Sequence, residues 1–296
     1  MKPYLKKLIP LVGVVCMSTS AIFIRVNTAP SLVLALYRMA LSSLLMLPFV
    51  IIRHPAELRE GLKLKNLKHY VLSGLCFGTN ILSYIEAVKN TSIAAAAMLG
   101  CSEVFFVALC AWLFWHEKIS AKGWIGIIVA FVGCVLLAVA QGLGDIGNVR
   151  GMLYAVVSAL SIGLFTLLGK RYRNDVPNSV YTLIVFVSAG VMMLLVCLLK
   201  RLPLSGYGKD CWLSALGLTI ACTLLGHSLL TWGLRYDRAS YISSLKLLMP
   251  CLSALLGWML LGEAPKLSVL ACCAVIIAGI LFYLRNEPGT DREKSR

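Results

Sequence analysis

Apolar residues run through this chain in stretches of about twenty, separated by short segments that hold most of the charges. A helix crosses a hydrocarbon core in roughly 20 residues. Segments of that length fall at 5–25, 31–52, 70–88, 93–115, 121–140, 151–169, 179–199, 212–233, 239–261 and 267–284. Long apolar runs broken by short charged loops are the pattern of a chain whose solvent is lipid. The turns near 28–30 and 91–92 are so short that the helices they join must be antiparallel hairpins. The pattern predicts an all-α integral membrane protein of ten spans.

Composition strengthens this picture. The 296 residues are 59% hydrophobic and 14% charged, with a mean hydropathy of +0.84, whereas about a quarter of an ordinary soluble domain is charged. The basic start at 1–7 resembles the head of a signal peptide, but the apolar run from Leu8 to Ile24 is too long for one and reads as the first span.

The net charge of +15 matters through its placement. With the N-terminus inside, 19 of the 28 Lys and Arg residues fall in cytoplasmic loops and tails and seven fall outside, which leaves Arg38 and Lys246 within spans. This asymmetry predicts a multi-pass protein of the cell's inner, cytoplasmic membrane with both termini cytoplasmic. No basic helix or aromatic platform points to nucleic acid. Eleven cysteines lie mostly in apolar runs with no CxxC and no paired spacing with His, so neither a disulfide framework nor a zinc site is expected. There is no P-loop, no second His four residues after His116 and no GxSxG. The expectation is therefore a non-enzyme without cofactors.

A long internal repeat organises the chain. Sliding 84–136 onto 230–282, an offset of 146, aligns Ala108 with Ala254, Leu109 with Leu255, Trp112 with Trp258, Glu117 with Glu263, Val129 with Val275 and Gly133 with Gly279. Five spans per half is an odd number, so the halves enter the membrane in opposite senses. Inverted halves around a midplane site are a common architecture for alternating access. The predicted divisions are a first five-helix repeat at 1–141, a Gly-rich junction at 142–150, a second, inverted repeat at 151–286 and a disordered cytoplasmic tail at 287–296.

Several short motifs follow the same order. Ser18-Thr19-Ser20 with Phe23 and Arg25 closes the first span, Tyr37-Arg38 lies in the second, and Trp112 with His116-Glu117 closes the fourth. Gly226-His227, then Trp232 through Tyr236, Pro250 and Leu261-Gly262-Glu263 mark the second half. In these the chain resembles the EamA family of the drug/metabolite transporter superfamily, ten-span exporters of amino acids and metabolites. The resemblance implies a secondary transporter, an exporter of a small polar metabolite such as an amino acid or related zwitterion. An importer or exchanger of a larger charged metabolite, such as a nucleotide derivative, is the alternative. The chain departs from the family pattern at Glu103-Val104 and Met249-Pro250, where a Glu-Pro pair is frequent, and at Lys246.

A charge at mid-bilayer costs about 2.5–3.5 kcal/mol on insertion scales, so each intramembrane charge needs a reason. Counting from helix ends at ~1.5 Å per residue, Glu103 lies roughly 15 Å and Arg38 roughly 10 Å below the outer surface, at similar levels. Glu103 is either a proton- or cation-binding carboxylate tuned by Arg38, or half of a structural ion pair with it. Lys246 lies about 10 Å from the inner surface by the same count, a depth difference from Glu103 too large for direct contact. The two are expected to bracket a zwitterion, its ammonium toward Glu103 and its carboxylate toward Lys246.

Asn80, Tyr84 and Ala87 form a stripe on the third span, and His227 and Thr231 share a face of the eighth. His227 is a proton relay or a packing residue, and Trp232 and Tyr84 an aromatic wall or interfacial anchors. Ser18 completes the candidate substrate-binding set. Glu117 and Glu263, at helix ends, read as loop-organising residues. Expected partners are a small-molecule substrate, protons as coupling ion and lipid, for a monomer or homodimer.

Overall fold

The computed structural model describes residues 3–90, 96, 99–115, 119–140, 149–172, 176–261 and 267–286. Among them every regular element is helical. The first stretch holds α1 (Pro3–Met17), α2 (Ser20–Val26), α3 (Ser31–Arg53), α4 (Pro55–Gly61) and α5 (Leu64–Asn90). Next come α6 (Glu103–Trp115), α7 (Ala121–Ala140), α8 (Val149–Tyr172), α9 (Asn178–Leu199) and α10 (Lys209–Gly233). The last are α11 (Ala239–Leu245), α12 (Met249–Leu261) and α13 (Leu267–Asn286).

Helices α3, α5, α8, α9, α10 and α13 are long and apolar enough to cross a membrane, and shorter apolar helices lie at Leu8–Ile24, Glu103–Leu113 and Ala121–Leu137. The surface agrees with a lipid solvent: Leu44, Phe49, Ile52, Leu195, Leu198 and Leu281 are exposed, while Ser73, Thr182, Thr219, Ser240 and Ser243 are buried. The protein is an all-helical, multi-pass integral membrane protein. The predicted turn at 91–92, the junction at 142–148, the tail, and Glu117 and Glu263 lie outside the described residues.

With no hydrophobic drive between helices in lipid, close packing needs small residues at the crossings. Helices α7 and α13 supply them. A Cβ on Gly279 would lie 2.5 Å from the Ala130 nitrogen, and one on Gly126 would lie 2.7 Å from the Tyr283 nitrogen. Helix α1 approaches α10 in the same way, a Cβ on Gly13 falling 2.9 Å from the Gly226 carbonyl oxygen. Two buried clusters result. One is built on α3, α5, α8, α9 and the first part of α10; the other is built on α1, α6, α7, α11 and α13 with the end of α10.

Four of the predicted spans are not continuous α-helices, which corrects their sequence reading. Residues 5–25 break at Ser18 and Thr19, whose hydroxyls bond Val14 O (2.9 Å) and Cys16 O (2.8 Å). Residues 93–115 break at Cys101 and Ser102, where the Ser102 hydroxyl bonds Leu99 O (2.6 Å) and competes with the helical ladder. Residues 212–233 widen into a π-helix over Leu218–His227. Residues 239–261 tighten into a 3-10 turn at Lys246–Leu248. Pro250 has no N–H to give Lys246 O, and the Met249 N–H takes that carbonyl instead.

Candidate functional site

Irregular backbone at membrane depth is tolerated where it is buried in protein or lines a cavity, and two of the breaks in this chain carry a buried charge each, Glu103 and Lys246. Glu103 opens α6 immediately after the break at Cys101 and Ser102, and Lys246 follows the last residue of α11. A carboxylate at a helix start and an ammonium at a helix end both complement the backbone dipoles.

The two meet directly. Lys246 Nζ donates to Glu103 Oε1 at 2.6 Å, with side chains 10% and 6% exposed. Ser243 Oγ donates to the same oxygen at 3.2 Å. Thr166 on α8 approaches it at 3.4 Å, its shorter bond going to Ile162 O at 2.8 Å. This overturns the expectation that Glu103 and Lys246 stand too far apart to touch. Depth counted along uninterrupted helices fails where both helices break, and the lysine stem covers several ångströms of the remainder. Pairing of Glu103 with Arg38 is corrected too, since the carboxylate oxygen is taken by Lys246.

Arg38 lies elsewhere, on α3 against the π-helical part of α10. Its Nε donates to Thr223 Oγ1 at 2.7 Å, and Thr219 Oγ1 donates to the Arg38 carbonyl at 3.2 Å. The Thr223 hydroxyl in turn reaches Leu218 O, five residues back, at 3.1 Å, so the widened turn is what presents it. Such π segments occur frequently at functional sites. Cys222 on the same segment bonds Cys16 O at 3.5 Å and meets the Thr19 hydroxyl at 3.6 Å, which ties the break in the first span to α10.

His227 is buried at the end of the π-helical part of α10, its ring edge-on to Phe77 with centroids 4.7 Å apart. Tyr84 is half-buried, with Ser20, Arg38, Cys101 and Cys222 as polar neighbours. Asn80 is committed to packing: Nδ2 donates to Ser158 O (3.1 Å) and Oγ (2.8 Å), joining α5 to α8. Ser18 O accepts from Ser253 Oγ at 3.0 Å, joining the first break to α12. Trp232 packs on Tyr236 with centroids 4.6 Å apart, at the end of α10. Of the candidate residues, the structure joins Glu103 to Lys246, sets Tyr84 beside Arg38, and puts Asn80 and Ser18 in helix–helix hydrogen bonds. Thr166 and Thr223 were missed. Each is one hydroxyl residue in an apolar run, with nothing in the pattern to single it out. Ser240, fully buried one turn before Ser243, has a hydroxyl with no hydrogen-bond partner among the described residues.

Comparison with known proteins gives this geometry a family. The chain is 23% identical over 268 residues to a riboflavin transporter of Brucella anthropi, covering 89% of this chain and 91% of that protein. It is 25% identical over 260 residues to an S-adenosylmethionine uptake transporter of Rickettsia bellii, covering 86% and 83%. An uncharacterized transporter of Clostridium kluyveri is 25% identical over 249 residues, covering 79% and 80%. A protein of known crystal structure shares the fold, with a TM-score of 0.77 at 21% identity over 95% of this chain and 96% of that one. The model of the EamA-like transporter family matches twice, at residues 7–139 and 149–285. The chain therefore belongs to the EamA-like transporter family and is a membrane transporter.

Proposed function

We propose that this protein is a ten-span secondary transporter of two inverted five-helix halves. It moves a small polar metabolite, an amino acid or related zwitterion, out of the cell by alternating access. Both termini are cytoplasmic, in the inner membrane, and residues 1–141 and 151–286 form the halves. The family model's double match supports the halves, and so does the way helices pair. Under the 146-residue offset α5 corresponds to α10 and α8 to α1, and α5 packs on α8 as α10 packs on α1. The self-corresponding pairs α3 with α9 and α7 with α13 also pack together.

The observation that carries the reading is the buried contact of Glu103 with Lys246 at two corresponding breaks, since residues 100–102 map by the offset onto 246–248. Discontinuous helices in matching positions of two repeats point to the substrate site. A substrate ammonium that displaces Lys246 from Glu103 replaces one ionic partner by another, so the carboxylate is never left bare. Release of Lys246 then loosens α11 from α6, the step that lets one half move against the other. Proton exchange at Glu103 or His227 is the coupling in this scheme.

The test is counterflow into liposomes carrying the purified protein, with labelled amino acids, riboflavin and S-adenosylmethionine as substrates. Amino-acid counterflow that E103Q abolishes is the expected result; its absence from the wild type would sink the zwitterion reading. The second reading, uptake or exchange of a larger charged metabolite, is favoured by the relatives named for riboflavin and S-adenosylmethionine, and counterflow of either compound alone would select it.

A further inference from the structure

The interior charges do not balance. Of the six acidic residues described, Glu57 faces His54, Glu60 faces Lys63, Glu86 bonds Asn90 and Glu103 holds Lys246. Asp210 opens α10, and Asp237 lies just past its end. Among the described residues no carboxylate pairs with Arg38. Arg38 as a residue is only 2% exposed, yet its Nε donates to the neutral Thr223 hydroxyl. Its titratable neighbours are Cys222, Tyr84 and His227, none of which carries a negative charge at neutral pH by its ordinary value. A buried cation without an acid is expensive to hold inside a membrane protein, and such residues mark solute pathways.

Polar groups from several stretches of chain gather beside it. Tyr84 is half-buried although Ser20, Arg38, Cys101 and Cys222, from four separate stretches of chain, stand around it. Lys246 is already neutralised by Glu103.

We infer that Arg38, with Thr223 and Tyr84 beside it, is the anion subsite of the pathway and receives the carboxylate of the transported solute: Lys246 stays paired to Glu103 until the solute's ammonium takes its place, so Arg38 is the cation that meets the carboxylate first. The place of this subsite in transport rests on the zwitterion reading above; its capacity to bind a carboxylate does not. A guanidinium offers a planar fork that matches a carboxylate's two oxygens, and the site is poised for one without having to break an ion pair first.

Acetate, a carboxylate with no ammonium group, is the probe. Thermal unfolding of the full-length protein in detergent is followed in sodium acetate and in sodium chloride of equal ionic strength. Acetate is expected to raise Tm above the chloride value in a dose-dependent way, as any ligand of the folded state does. R38Q should abolish that increment, R38K should keep only part of it, and the double variant E103Q/K246M should keep it whole. In chloride, R38Q should unfold no lower than the wild type, because it removes an uncompensated buried charge. The inference falls if acetate does no more than chloride for the wild type, if R38Q retains the increment, or if E103Q/K246M loses it. It also falls if R38Q unfolds well below the wild type, which would make the arginine a structural strut. An Arg38-dependent acetate effect without amino-acid counterflow would remove the zwitterion reading and leave the anion subsite standing.

Discussion

Two helix contacts in this molecule are built on opposite principles. Where α7 crosses α13 both helices are regular, Gly126, Ala130 and Gly133 face Ile276, Gly279 and Tyr283, and the backbones approach as closely as backbones can. Where α6 meets α11 both segments are interrupted, and what joins them is Lys246 and Ser243 on one carboxylate oxygen. Van der Waals packing of small residues has one good arrangement and resists change. An ion pair between broken helices has an alternative partner in any solute that carries charge. In the alternating access proposed above, the glycine crossing is the fixed frame and the α6–α11 contact is the part that changes state.

Several variants break or sharpen that contrast. The largest effect is expected from E103A, which leaves Lys246 buried and unpaired. Loss of one partner of such a pair costs about 3–5 kcal/mol, read as reduced stability to denaturant. The double variant E103Q/K246M should recover most of it while transport stays lost, and equal stability loss in single and double variants would mean that the pair is not the joint between these helices. Next comes G279V in the frame, where overpacking costs about 1–3 kcal/mol. The protein that still folds should transport at an unchanged KM, the opposite signature to a site variant. N80A removes the hydrogen bonds from α5 to Ser158 and should cost about 1 kcal/mol, again with KM unmoved.

The smallest effect lies outside the spans. The backbone amide of Glu57 at the start of α4, followed by His54, holds the Glu57 carboxyl below its ordinary range. A lowered carboxyl stabilises the fold above its unfolded pKa, and the contribution disappears as pH falls through the folded value. Stability curves of wild type and E57Q, taken between about pH 6 and pH 3, should therefore converge toward the acid end, with little difference at any pH because Glu57 is solvent-exposed.

Hydropathy made the helices legible. Every predicted run that lies within the described residues is helical over most of its length, because lipid demands internally satisfied backbone and leaves few alternatives to a helix. Glu103 and Lys246 were conspicuous for a related reason, being charges in runs that exclude charge. Their mutual distance was not legible. It was read from helix ends, and the breaks at Ser102 and before Pro250 shift that count. Arg38 stood out in the same way, but nothing in a linear pattern says that its partner is a threonine on a π-turn 185 residues away.

From its sequence alone, then, this protein is an all-helical membrane transporter with a handful of interior charges, since burial in hydrocarbon is a property of each segment by itself. Which charge meets which was decided only by tertiary structure. Ion pairing depends on a few ångströms between segments more than a hundred residues apart, and a single proline or serine in a helix is enough to move them together.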